Sequence, residues 1–186
     1  MMPTTRQDRE WEVPAIKKLA TEQGVLMPLG AIGSAGGLAF IRADDGFGVC
    51  IASGTSSPTR SVVFVFRSGE VWTVDSLYIP ESGGIALDAA VSRSAVEIYS
   101  SFLKAKLGIP PPYQCLFGIE GVKGKPIFLP NVQGKMWLQN PFGACVSEVI
   151  TTDAIYKDGD DPAAGPRRFF STVYERCGVE DTSWLG

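Results

Sequence analysis

Apolar residues recur at helical spacing over residues 88–106. Val91, Ala95, Ile98 and Phe102 form one stripe, Val96, Tyr99, Leu103 and Leu107 lie beside it, and Arg93, Glu97, Ser100 and Lys104 fall on the opposite face. The pattern predicts an amphipathic helix whose aromatic stripe is core packing, with Asp88 as its N-cap. Gly108 and the run Pro110-Pro111-Pro112 end it, because proline cannot continue a helix and disfavours helical geometry just before itself. A shorter helix is predicted over 14–23, with Ile16, Leu19 and Ala20 on one face, Lys17 and Lys18 outward and Gly24 as its stop. A last one runs from Pro166 to Cys177, with Phe169, Phe170, Val173, Tyr174 and Cys177 together and Gly178 just past its end.

Elsewhere the period shortens to that of strands. Between residues 25 and 53 the runs Val25-Leu26-Met27, Leu38-Ala39-Phe40-Ile41 and Gly48-Val49-Cys50-Ile51-Ala52 are separated by glycines and by the turn Asp44-Asp45-Gly46. Residues 61–79 carry the clearest hairpin: Val62-Val63-Phe64-Val65-Phe66, the turn Arg67-Ser68-Gly69-Glu70, then Val71-Trp72-Thr73-Val74-Asp75. Its first strand is apolar on both faces, which suits a central strand covered on both sides or one whose second face meets a partner. Residues 113–119 and 126–129 read as strands around Gly121-Val122-Lys123-Gly124, with Lys135-Met136-Trp137-Leu138 as a third. Asn140-Pro141 marks a turn, residues 145–155 favour strand through Val149-Ile150-Thr151-Thr152, and residues 158–162 form an acidic loop. Together these elements predict an α+β fold: a mainly antiparallel sheet of about six strands packed by two or three helices. Residues 1–186 read as one domain, with 1–24 as an N-terminal helical arm on a core of 25–186.

Composition narrows the chemistry. The 186 residues are 45% hydrophobic and 20% charged, ordinary for a chain that folds around its own core. No apolar run approaches the ~20 residues of a membrane span, and the polar start lacks a signal-peptide pattern, so no membrane association and a cytoplasmic location are expected. Cys50, Cys115, Cys145 and Cys177 are far apart in sequence and set among apolar neighbours, which suits reduced core thiols. The net charge of −3 provides no global field for a polyanion, so nucleic-acid binding has to rest on a local basic patch.

The chain has no histidine, which removes Ser-His-Asp and Cys-His catalysis and every histidine-bearing metal site. Carboxylate chemistry, a Ser-Lys pair or an isolated activated cysteine remain. The wide cysteine spacing does not fit a four-cysteine zinc site. A phosphate-binding P-loop fails around Gly124-Lys125, where Ile119 stands in place of the first glycine and Pro126 in place of the Ser or Thr. Gly30-Ala31-Ile32-Gly33-Ser34-Ala35-Gly36-Gly37 lacks the strand and helix context of a dinucleotide loop and reads as a glycine-rich turn. No cofactor is expected. Basic residues occur in small groups, of which Lys104, Lys123, Lys125, Arg167 and Arg168 are the candidate nucleic-acid contacts if the fold brings them to one face.

Three segments in order resemble the C-terminal part of bacterial proteins carrying a Schlafen-type, AlbA-like DNA-binding domain. They are Phe66-Arg67-Ser68-Gly69-Glu70-Val71 with Val74-Asp75; Leu107-Gly108-Ile109-Pro110-Pro111-Pro112-Tyr113 leading to Gly118-Ile119-Glu120-Gly121-Val122-Lys123-Gly124; and Arg167-Arg168-Phe169-Phe170 to Cys177-Gly178. The resemblance covers about residues 61–178 and implies nucleotide or nucleic-acid binding, with RNA cleavage in some relatives. The family's upstream carboxylate-carboxylate-lysine cluster has no counterpart here: Glu10-Trp11-Glu12-Val13 lacks the lysine and runs into Pro14, and Gly36-Gly37-Leu38 only echoes the family's glycine segment. No catalytic residue is carried over.

The expected function is therefore a non-enzymatic binding or interaction module of a bacterial regulatory or defence system, contacting nucleic acid or a protein partner. One alternative is a metal-dependent nuclease or nucleotide-processing enzyme using Asp44, Asp45, Asp75 and Glu120, which requires those carboxylates to converge. Another is a structural subunit whose 62–74 hairpin joins a homo-oligomer.

Overall fold

Strand alternation and turn chemistry account for most of the architecture. The computed structural model describes residues 1–5, 9–22, 26–32, 37–51, 61–76, 85–87, 89–130, 137–179 and 182. Strands β2 (Leu38–Ala43), β3 (Gly46–Ile51), β4 (Ser61–Phe66) and β5 (Val71–Asp75) form a four-stranded antiparallel sheet in that order. A second sheet places β7 (Tyr113–Glu120) between the short β1 (Met2–Pro3) and β10 (Val149–Tyr156), all antiparallel. In a third, β8 (Pro126–Pro130) pairs antiparallel with β9 (Trp137–Ala144) and parallel with the short β6 (Ile85–Ala86). The helices are α1 (Val13–Ala20), α2 (Ala89–Ser101) and α3 (Ala164–Arg176). The α+β class is thus present, with the strands divided among separate sheets.

The first core lies between α1, α2 and the inner face of the four-stranded sheet. Ile16, Phe47, Val63, Val65, Leu103 and Ile109 are its most enclosed side chains. Burying each is worth about 1.5–3 kcal/mol relative to exposure. α1 is therefore packed into the body of the protein through Ile16 and Ala20, while Lys17 and Lys18 face outward. The second core forms where α3 covers β7 and β10, with Phe169, Phe170, Val173 and Tyr174 against Ile150, Ile127 and Val122. The chain start ties the two halves together: the Met1 amine donates to Val71 O at 2.7 Å and Val71 N–H donates back to Met1 O at 2.8 Å.

Several elements differ from their sequence signatures for identifiable reasons. α1 ends at Ala20 because the Thr21 hydroxyl donates to Lys17 O at 2.9 Å and closes the last turn; Gln23 and Gly24 lie outside the described residues. Leu26 and Met27 are not a strand. Pro28 follows them and opens a 3₁₀ turn at Leu29–Ala31, while Met27 O accepts the Tyr99 hydroxyl at 2.9 Å and Leu26 is buried in the core; Val25 lies outside the described residues. The predicted turn at Asn140-Pro141 is instead an irregularity inside β9. The register jumps between Pro126 and Phe128, which pair with Ala144 and Gln139, so the proline sits in a bulge where no ladder donor is required. The long helix continues past α2 through a π turn at Phe102–Lys106 and stops at Gly108 (φ 68°), although its expected N-cap, Asp88, lies outside the described residues.

Gly46 and Gly48 carry a packing requirement invisible in the pattern. A Cβ on Gly48 would sit 2.9 Å from the Phe64 ring, and one on Gly46 would collide with both that ring and the Val65 carbonyl oxygen. Because a carbonyl held in a strand ladder cannot retreat, Gly46→Ala is expected to destabilise the protein by about 2–3 kcal/mol. Gly118→Ala, whose nearest contact would be a Thr151 methyl at 3.3 Å, is expected to cost about 0.5 kcal/mol or less. Thermal melts of the two variants test the difference.

Candidate functional site

The five candidate basic residues are placed at two ends of the β7–β10 pair. Tyr113 pairs with Tyr156 at one end and Glu120 with Val149 at the other. At about 3.3 Å per residue these ends are roughly 23 Å apart. Lys104 is at the Tyr156 end, where its ammonium lies 2.8 Å from both carboxylate oxygens of Asp158. Arg167 sits on the first turns of α3 and pairs with Asp161. Arg168 is exposed and lines a cleft of about 370 Å³ between α2, the inner face of β7 and β10, and the start of α3. Asp161 accepts Ala163 N–H at 2.9 Å, and this bond, with Arg167, holds its carboxyl below the ordinary range. Its charge is thus committed to the helix entrance. Lys123 and Lys125 lie in the turn beyond Glu120, and neither makes an ion pair among the described residues. Lys104, Arg167 and Arg168 thus lie toward the Tyr156 end, each with its own surroundings, while Lys123 and Lys125 lie beyond the Glu120 end, and the five do not form one patch.

The carboxylates do not converge. Asp44 and Asp45 form the β2–β3 turn beside Phe66, while Asp75 pairs with Ser61 at the far end of β4, about 17 Å along the strand. Glu120 belongs to a different sheet. Among the described residues no group of three or more candidate ligands is placed to hold a metal ion. The backbone of the Asp44-Asp45 turn is tied to Arg67, which also holds the segment before α1. Arg67 pairs with Glu10 at 3.2 Å and Glu12 at 3.7 Å, its Nε donates to Trp11 O at 3.3 Å, and its backbone N–H donates to Asp45 O at 2.8 Å. These bonds fasten the segment before α1 to the β4–β5 turn. The glycine-rich turn is similarly occupied, since Gly30 N–H donates to the buried Ser61 hydroxyl at 2.9 Å; residues 33–36 lie outside the described residues.

All four cysteines are free and buried. Burial pushes the Cys115 and Cys177 thiols up, and a hydrogen bond with Cys145 raises Cys177 further. A thiol displaced in that direction stays protonated and is a poor nucleophile at neutral pH. Among the described residues no helix is long and apolar enough to cross a membrane.

The strongest surface feature is one that the basic-residue reading missed. Alternation in β4 sends Ser61, Val63 and Val65 into the core, each 1% exposed or less, and turns Val62, Phe64 and Phe66 outward. Register then puts Ile41, Trp72 and Val74 on the same outer face, through the pairs Ile41↔Gly48↔Phe64↔Trp72 and Val62↔Val74. Trp72 is 56% exposed and Val74 61%. The rings of Phe64 and Phe66 meet edge-on at 4.8 Å, and those of Phe66 and Trp72 at 5.5 Å. Gly46 and Gly48 provide the flat floor on which Phe64 lies. The signal in the sequence was the strand apolar on both faces; what it lacked was which face remained open. No protein-family profile, curated protein or solved structure matches this chain.

Proposed function

We propose that the chain is a non-enzymatic binding module that docks a protein partner on the outer face of its four-stranded sheet. The observation that carries this reading is the contiguous, uncharged surface of Ile41, Val62, Phe64, Phe66, Trp72 and Val74. Soluble domains rarely leave aromatic and aliphatic side chains clustered in water without a use for them. A half-exposed tryptophan amid smaller apolar neighbours is the arrangement from which interface anchors are made, because covering it removes a large apolar area from water at little entropic cost. The uncharged face favours an apolar protein surface over a polyanion.

The test is a pair of charge variants. Trp72→Glu with Val74→Glu is expected to abolish retention of partners that co-purify with the wild type, leaving the melting temperature within a few degrees because both side chains are exposed. Lys123→Glu with Lys125→Glu is expected to retain them. The opposite pattern refutes the docking face.

A nucleic-acid role is the second reading, in keeping with the Schlafen-type resemblance and favoured by Lys123 and Lys125 making no ion pair among the described residues. It requires affinity for DNA or RNA that weakens steeply between two salt concentrations. Absence of binding at low salt ends it.

A further inference from the structure

The edge of the four-stranded sheet points to a specific partner beyond the docking face: we infer that β2 pairs antiparallel with β2 of a second copy of this chain. β2 is the terminal strand of its sheet, and no other described segment hydrogen-bonds its outer side. Of the devices that guard an open edge its six residues carry one, the charge of Arg42, which faces the same side as the buried Phe47 it pairs with. There is no proline, its register with β3 is unbroken, Arg42 is its only charge, and Leu38, Phe40 and Ile41 are 40%, 54% and 38% exposed.

Which backbone groups face outward follows from the hairpin. Asp44 and Asp45 form a two-residue turn closed by Ala43 and Gly46, so this closing pair exchanges both its hydrogen bonds. Ala43, Ile41 and Ala39 then turn their N–H and C=O toward β3, as the contact from the Cys50 thiol to Ala39 O at 3.6 Å also shows. Leu38, Phe40 and Arg42 aim theirs at the open edge. An antiparallel mate centred on Phe40 satisfies all three at once, with Phe40 opposite Phe40 of the second copy and Leu38 opposite Arg42, giving about six inter-chain bonds. No like charges meet in this register. The Phe40 rings, each already stacked on its own Phe47 at 5.8 Å, come together across the two-fold axis and lose their exposure. A six-residue edge is a small contact, so the pairing belongs in the micromolar range.

Sedimentation of the whole chain from about 1 to 100 μM tests this. The expected species at high concentration has twice the 19.9 kDa chain mass. Phe40→Pro removes only an edge-facing N–H and spares the β2–β3 ladder, and Phe40→Lys adds a charge at the axis; both are expected to be monomeric with wild-type circular dichroism. Phe40→Cys provides an independent readout, since a narrow antiparallel pair holds its Cα atoms about 5.5 Å apart, within disulfide reach. With oxidised glutathione the two introduced thiols give up two electrons and two protons, forming one inter-chain disulfide and two reduced glutathiones. A wild type that stays monomeric throughout, a dimer that survives both Phe40→Pro and Phe40→Lys, or failure of Phe40→Cys to cross-link overturns the inference. A dimer dissolved by Trp72→Glu but not by Phe40→Lys also overturns it, assigning self-association to the docking face instead.

Discussion

Tyr113→Ala is expected to lower the unfolding free energy by about 3–5 kcal/mol, the range for emptying an aromatic site in a packed interior. Tyr113 opens β7 in the second sheet yet belongs to the first core, where it is 1% exposed. Its ring stacks on Tyr156 at 6.4 Å and its hydroxyl donates to Ile109 O at 2.6 Å. It is therefore a joint between the two halves, and removing it leaves a cavity, an unpaired carbonyl and a loosened sheet contact together. Tyr113→Phe keeps the ring and sacrifices only the hydrogen bond, for about 1–2 kcal/mol. Leu116→Ala, three residues along the same strand but 62% exposed, is expected to change stability by about 0.5 kcal/mol or less. Urea titrations of the three variants measure the order directly. If Tyr113→Ala unfolds at the same midpoint as Leu116→Ala, the two halves are not joined there.

Raising the pH is expected to destabilise the protein from about pH 9 upward, where the thiols of an unfolded chain begin to ionise, and more steeply above pH 10. Burial, reinforced by the nearby charges of Asp158 and Tyr156, pushes the Tyr113 phenol from its ordinary 10.0 up to about 12. An unfolded chain releases that proton near pH 10, whereas the folded chain keeps it until about 12. Stability from this group is thus complete below pH 10 and falls as pH rises through the window between the two values. Allowing for solvent screening at the core margin, the loss is about 1–2 kcal/mol. Tyr174 is displaced in the same direction by its own burial, and the Cys115 and Cys177 thiols add to the same sign. Urea midpoints at pH 8 and pH 12 measure the combined loss, and Tyr113→Phe isolates one share by flattening the slope over the interval between pH 10 and pH 12. A stability profile that stays level across it contradicts the burial of both tyrosines.

Local physics determined a large part of this molecule. In the long helix Ala95, Val96, Tyr99, Phe102, Leu103 and Leu107 are buried as their spacing requires, Val91 and Ile98 are half-buried, and Ser100, expected on the outer face, is buried too; in the last helix Phe169, Phe170, Val173, Tyr174 and Cys177 are all buried. The hairpin turns at Gly69 (φ 84°), and α3 is followed by Gly178 (φ 84°), because glycine alone enters that backbone region without a Cβ penalty. The four apolar-flanked cysteines are the buried thiols their neighbours imply. These features depend on residues within a turn or two of each other, so a linear pattern carries them.

Tertiary structure alone decided how the strands divide among sheets, which side of β4 stays open, and where the charges go. β7 finds β10 about thirty residues later and β1 more than a hundred residues earlier, and no local rule selects those mates. The same pairing separates Lys104 and Arg168 from Lys123 and Lys125, and Asp45 from Asp75, although each set looks equally available along the chain. Register also collects Ile41, Trp72 and Val74 into one face from three different segments. The physical reason is range. Helix faces and turns are settled by neighbours in sequence, whereas a surface assembled across strands exists only once distant segments have paired.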